Sequence, residues 1–351
     1  MFAELGFETL TPRSASVILG LVLGLAFGAL AERSGFCLRR GLVGPVAERA
    51  PALGLWMLAL ATAILGTRGA VALGWITFDG HRLLSTDLPI LAVLMGGAMF
   101  GAGMVLTRGC ASRLAVLAGT GNLRAVMVLI VFAIVAHAAM KGVLSPLRVT
   151  LASVTLPLGD GSTLPGGALA ALVLAGVALW LALRGRLSPV QIAAGLAIGL
   201  LVPAAWVGTG LILADDFDPI PMEALNFTQP AADTLFWVIA SSAVAPAFGT
   251  GLVAGTLIGA LLAALGAGAF RWQSFSAPRE TGRYGLGGAL MGLGSVLAGG
   301  CTLGAGLSGL PTLSVAALLT LAAIVAGAIA TDRALTASGR APAAQGTIRP
   351  A

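Results

Sequence analysis

Nine apolar runs of the length needed to cross the roughly 30 Å hydrocarbon core of a bilayer leave this chain few folds to choose from. They lie near 14–31, 51–74, 89–106, 123–143, 166–183, 189–213, 249–268, 283–298 and 312–330. Lipid offers no hydrogen-bond partner to the backbone, so apolar runs of this length predict helices that satisfy their own peptide groups. The expected fold class is an all-α integral membrane protein with about nine transmembrane helices, a single membrane domain over 1–351. Only 10% of the residues are charged, against about 25% in a soluble domain. The first run follows Glu4 and Glu8 rather than a basic segment, and no small-residue cleavage site comes after it, so it reads as a span and not a signal peptide.

Charge sets the expected orientation. With nine spans, segments 32–50, 107–124, 184–188, 270–283 and 331–351 share one side and hold fifteen of the twenty Lys and Arg residues. The opposite side holds ten of the fourteen acids, among them Asp215, Asp216, Asp218, Glu223 and Asp233. Basic residues concentrate on cytoplasmic loops, so the N-terminus is expected in the periplasm and the C-terminus, with a tail at 331–351, in the cytoplasm of a bacterial inner membrane. The net charge of +6 is then a topology signal. No basic stripe is interleaved with aromatics, and no nucleic-acid partner is expected.

Two stretches repeat. "GGAMFGAGMVLTRGC" (96–110) and "GGALMGLGSVLAGGC" (287–301) match at nine of fifteen positions at an offset of 191, including Gly109 with Gly300 and Cys110 with Cys301. A weaker match at an offset of 175 pairs 20–36 with 195–211 and assigns Ile212 as the counterpart of Cys37. The plan is a first repeat over 15–150, a linking span at 166–183 and a second repeat over 189–330. The odd linking span gives the second repeat the opposite polarity, an inverted-topology arrangement in which glycine-interrupted segments at matching positions point to the binding path.

After each Gly-Cys, the segments 111–121 and 302–311 are too short to cross a bilayer and read as short re-entrant helices. A helix start offers unpaired N–H groups and a partial positive charge, which stabilises an anion and favours thiolate character in a cysteine placed there. A single cysteine in a membrane helix is ordinarily a small buried hydrophobe, but two at matching positions argue for a pathway. Cys37, in "SGFC", stands at the inner end of the first span. Arg39, Arg40, Arg108 and Arg113 lie on the same side, where topology alone accounts for them and an anion moving inward would also be drawn to them. Thr302, Ser308 and Ser314 can line the second dip, although hydroxyls inside glycine-rich helices more often satisfy local backbone, and Asn122 reads as the end of the first. His137 is the only histidine within a span, suited either to function or to an interhelical hydrogen bond. Met95, Met99 and Met104 fit core packing better than soft-metal ligation.

The motifs "SGFC", "GxGxxxxxGC" and "GGCTLGAGLSGLPTLS" resemble the YeeE/YedE sulfur-transport family over about residues 15 to 330. The resemblance implies an hourglass-like inverted repeat whose cysteines line the constriction. It also implies uptake of thiosulfate or a related sulfur-containing anion by transient S–H hydrogen bonds, without enzymatic turnover. Site residues implied or suggested are Cys37, Cys110, Cys301, Gly109, Gly300, Thr302, Arg108 and Arg113. The family is linked to thiosulfate, other sulfur compounds and selenium. A cytoplasmic sulfur-carrier (TusA-like) protein or a sulfurtransferase is a partner consistent with that cargo.

The alternative is a membrane thiol oxidoreductase or persulfide/sulfur transferase, in which a thiolate attacks a sulfur donor. It calls for a resolving cysteine, and the chain has no C-x-x-C. Two histidines, one of them in a span, do not make the paired ligands of a haem, and no cofactor or metal is expected. A purely structural subunit would leave the broken segments unexplained.

Overall fold

The computed structural model describes residues 11–215, 218–275 and 277–338. Their ordered structure is almost wholly helical. The first half comprises α1 (Pro12–Ser34), the short α2 (Leu38–Val43), α3 (Val46–Ala72), α4 (Ile90–Leu106), the short α5 (Ala111–Gly119) and α6 (Leu123–Lys141). A surface helix α7 (Ser145–Ala152) and then α8 (Ala168–Arg184) lead to the second half. That half has α9 (Pro189–Val207), α10 (Thr228–Ile239), α11 (Phe248–Gly266), α12 (Pro278–Leu297), a π-helical segment at Thr302–Gly309 and α13 (Val315–Ala337). A two-stranded antiparallel pair, β1 (Asp87–Leu88) with β2 (Leu156–Pro157), ties two connecting loops together.

All nine expected spans are helices. Eight segments are long and apolar enough to cross a membrane, and α8, at 17 residues, is the shorter ninth, about 25 Å at 1.5 Å per residue. Local sequence explains the starts. Ser188 and Gln191 close a reciprocal capping box ahead of Pro189, and Ser314 accepts from the Ala317 N–H at 3.2 Å. Asn122, expected to end the first dip, instead begins α6: its side chain accepts from the Ala125 N–H at 3.2 Å. Asn is as good an N-cap as it is a terminator, and the apolar run that follows decides between them. Helix α13 continues to Ala337, and residues 339–351 of the expected tail lie outside the described residues.

Hydropathy did not reveal α10. Its twelve residues, "TQPAADTLFWVI", are too few and too polar at the start to register as a span. It packs against α6 and α11, and its Phe236 stacks on His137 with ring centroids 3.6 Å apart. His137 therefore has a ring partner, and its Nδ1 is buried without a hydrogen bond.

The two halves pack reciprocally. Helix α1 lies along α11 and α3 along α9, α4 packs on both α12 and α13, and α6 packs on α12. Glycines make this possible. A methyl on Gly20, Gly24 or Gly28 of α1 would overlap the Phe248, Leu252 or Thr256 carbonyl oxygen, and one on Gly251, Gly255 or Gly259 would overlap Val17, Leu21 or Leu25. Backbone thus meets backbone over three successive turns, the small-xxx-small contact that lipid-embedded helices use in place of a hydrophobic driving force. The repeated glycines of α4 and α12 do the same: a methyl on Gly103 would come 2.5 Å from the Gly287 oxygen, and one on Gly294 would come 2.6 Å from Gly96.

The breaks that follow α4 and α12 share one backbone requirement. Arg108 has φ 61° and, 191 residues later, Gly299 has φ 75°. A left-handed residue lets the chain leave one helix and start the next, and it is costly for a residue with a side chain, at roughly 1–2 kcal/mol. The first copy bears that strain at Arg108. Thr107 braces the turn: its hydroxyl lies 2.9 Å from both the Gly103 and Gly109 carbonyl oxygens and shares its one proton between them. Arg108→Gly is therefore expected to raise stability by about 1 kcal/mol, seen as a higher melting temperature in detergent. A lower one would mean that the contacts of the guanidinium outweigh the strain.

Candidate functional site

Each of the three cysteines occupies the N-cap position of a short helix: Cys37 before α2, Cys110 before α5 and Cys301 before the 302–309 segment. At nine residues α5 extends about 13 Å, so it starts and ends within the protein. The thiols are 5%, 2% and 0% exposed and all three are free. Buried helix starts leave N–H groups without intrahelical acceptors, and here each is presented next to a polarizable sulfur.

Tertiary contact brings the cysteines together. Cys37 and Cys110, 73 residues apart in the chain, have their thiols beside one another. Cys110 Sγ also lies 3.3 Å from Ser112 Oγ. Thr302 Oγ1, the first hydroxyl after Cys301, approaches the Cys110 thiol from the other half yet is buried without a hydrogen bond of normal geometry. Cys301 receives the Gly304 N–H at 3.5 Å and donates to Asn226 Oδ1 at 3.5 Å. The three sulfurs and Thr302 thus form one buried polar seam through an otherwise apolar core.

Of the expected arginines, Arg113 is engaged elsewhere. Its Nη1 sits 3.3 Å from Glu32 Oε2 and 3.2 Å from the Ala31 carbonyl, so its charge is paired beside Cys37. Arg40 is likewise paired with Glu48 at 2.7 Å. Arg108 instead lies among Arg39, Arg283, Tyr284 and Glu280. Arg39 Nε and Arg283 Nε and Nη2 are buried without partners, so guanidinium donors gather at the end of the seam next to Cys37 and Cys110. Arg283 has no motif around it, and nothing in the sequence singled it out. Gly109 and Gly300 are both buried, and a methyl on Gly300 would come 3.0 Å from the Ala305 nitrogen.

At the other end of the seam is a small cleft, partly open to solvent, lined in part by His81, Arg82, Trp206, Glu223, Asn226 and Ser308. Ser308 donates to the Leu225 carbonyl at 2.8 Å and Ser314 to Leu83, so both hydroxyls hold the cleft wall together. Thr209 Oγ1 holds Glu223 in place, donating to its carbonyl at 2.8 Å and accepting from its N–H at 3.0 Å. Burial pushes the Glu223 carboxyl above the ordinary carboxylate range, Arg82 opposes that and Asp233 adds to it. Burial holds His81 below the usual imidazole value, the Met222 carbonyl opposes it and Arg82 reinforces it.

Ile212, expected to stand where Cys37 stands in the first half, closes a π-helical turn at Gly208–Ile212 and is 43% exposed. The offset of 175 aligned the spans but not the loop that follows. Met104 is in the core, whereas Met95 is 42% exposed. Among the described residues no group of three or more His, Cys, Asp or Glu is placed to share a metal ion.

A family model described as "Sulphur transport" matches residues 33–330. The thiosulfate transporter TsuA of Escherichia coli (strain K12) is 27% identical over 311 residues, covering 83% of this chain and 86% of that protein. The thiosulfate transporter TsuA of Spirochaeta thermophila is 27% identical over 324 residues, covering 86% of this chain and 93% of its own length.

Proposed function

Because this chain belongs to the sulphur transport family, a family of multi-pass membrane transporters in this instance, we propose that it carries thiosulfate or a related sulfur-containing anion inward across the inner membrane. The path runs from the cleft past Cys301 to Thr302, Cys110 and Cys37, and leaves through the Arg39, Arg108 and Arg283 end. The N-terminus is periplasmic and the C-terminus cytoplasmic on this reading, since the arginine-rich end then faces the cytoplasm. On this reading a cytoplasmic TusA-like carrier or sulfurtransferase accepts the cargo.

The observation that carries the reading is the row of thiols, each at a buried helix start. A dianion sheds its water only where other donors replace it, because an unpaired buried charge costs several kcal/mol. S–H groups and helix-start N–H groups provide such donors. The thiol is a weak donor, so each station holds the anion loosely enough to pass it on, as conduction requires. Thr302 Oγ1, orphaned between the two halves, supplies one more donor at the hand-over. The direct test is accumulation of labelled thiosulfate in cells lacking other sulfur-uptake routes. Expression of the wild-type chain is expected to restore it, and no accumulation would overturn the substrate assignment.

One observation favours a second reading. The contact between Cys37 and Cys110 supplies the resolving thiol that the absence of C-x-x-C denies, as a membrane thiol oxidoreductase or sulfur transferase would need. Cys110→Ser separates the two: it keeps a donor and abolishes thiolate chemistry. Transport by hydrogen bonding predicts substantial retained uptake.

The cleft carries a pH prediction. Protonating Glu223 removes a negative charge and protonating His81 adds a positive one, with Arg82 constant and Asp233 nearby. Both changes favour an anion, so thiosulfate affinity is expected to rise as pH falls from about 7.5 toward 5, by about threefold for one charge at a partly solvated site. Glu223→Gln should flatten the dependence, measured as Kd by calorimetry on purified protein.

A further inference from the structure

Asn226 enters the seam from a segment that no motif marked. It precedes α10 and meets Cys301, as Cys37 precedes α2 and meets Cys110. The surroundings correspond as well. Helix α2 contacts α3, α4 and α13, and α10 contacts α11, α12 and α6. Each set contains the following long helix, the helix that leads into a Gly-Cys break, and the last helix of the other half.

The hydrogen bonds of Asn226 fix which way its amide faces. The Thr228 N–H donates to Oδ1 at 3.1 Å, and the Cys301 thiol donates to the same oxygen at 3.5 Å. A backbone N–H cannot face an NH2 group, so Oδ1 is held on the protein side. The Nδ2 group has no acceptor among the described residues, and the half-buried side chain lines the cleft. Gly304 makes room: a methyl there would come 2.6 Å from Asn226 Oδ1. A second donor lines the same cleft, since Trp206 is 2% exposed and its Nε1–H is buried without a partner.

We infer that the cleft is the outer binding station of the path, where Asn226, at the second-half position equivalent to Cys37, donates from Nδ2 to the oxygen atoms of the substrate anion and orients it toward Cys301. This assignment rests on the proposed uptake of a sulfur oxyanion. It makes the two stations unequal. The outer one pairs a thiol with a carboxamide, whose N–H is the stronger donor and suits oxygen. The inner one pairs two thiols, each a weaker donor than the carboxamide, and the guanidinium groups beyond them draw the anion inward. Capture from dilute solution and release inward both follow from that gradient.

The test uses full-length purified protein and thiosulfate itself. Asn226→Asp keeps the oxygen that accepts from Thr228 and Cys301 but replaces the donor with a negative charge. It is expected to weaken thiosulfate binding at least tenfold, and to raise KM for uptake correspondingly, with an unchanged melting temperature. Asn226→Cys restores a donor and recreates the thiol pair of the inner station, and is expected to bind within about threefold of wild type. Should Asn226→Asp melt early, Asn226→Ala decides instead, because its methyl has no donor to offer the anion. Binding by the deciding variant within twofold of wild type overturns the assignment while leaving thiosulfate as the substrate. Absence of binding by the wild-type chain overturns the substrate reading and this assignment with it.

Discussion

Cys301→Ala and Cys110→Ala are each expected to lower uptake of labelled thiosulfate by roughly tenfold or more, the effect of losing about 1.4 kcal/mol from binding or from the barrier between stations. Both thiols are almost fully buried, so alanine leaves an apolar gap facing a dianion where a donor stood. Water cannot substitute readily in a space the size of one sulfur atom. The loss should be in transport and not in folding: each thiol is small, and shortening a side chain to a methyl at a helix cap typically costs about 1 kcal/mol. A variant with wild-type melting temperature and undiminished uptake would falsify the thiol path for that residue. Cys37→Ala should be less severe than Cys110→Ala, because Cys110 keeps Ser112 and Thr302 beside it and remains a working station.

The largest effect on stability is expected at the α1–α11 contact. Gly255→Leu should destabilise the protein by about 3 kcal/mol or more, read as a melting temperature lowered by many degrees or as failure to obtain monodisperse protein in detergent. The glycine faces the Leu21 carbonyl with no room for a methyl. The helices must separate, and the close contacts of Gly20, Gly24, Gly28, Gly251 and Gly259 are lost with it. Gly176→Leu on α8 is the control: a side chain there meets nothing within 4 Å, and its melting temperature should stay near wild type. Equal destabilisation by both would mean that the cost does not lie in the α1–α11 contact, since leucine is the better helix former at either position.

Much of this architecture was legible because lipid restricts what a chain can do. Long apolar runs have only helices open to them, and all nine runs are helices. The glycine phase shared by 96–110 and 287–301 correctly marked two helices that end in a break, since close packing and a left-handed exit both demand small residues at fixed intervals. The exception was instructive: Arg108 stands where the second copy has Gly299, and a side chain at φ 61° was not foreseeable from a pattern of glycines.

What stayed hidden is what depends on distance across the fold. Hydropathy and the repeat offset determined the class, the spans, the two breaks and the cysteines that open them, because each is a local property of composition and spacing. Only the tertiary structure set Cys37 against Cys110, turned Arg113 toward Glu32, gathered Arg283 with Arg39 and Arg108, and brought Asn226, 75 residues upstream, onto Cys301. Those neighbours come from separate helices, and their meeting is decided by how the glycine faces of α1, α4, α11 and α12 dock, a condition that no single stretch of sequence contains.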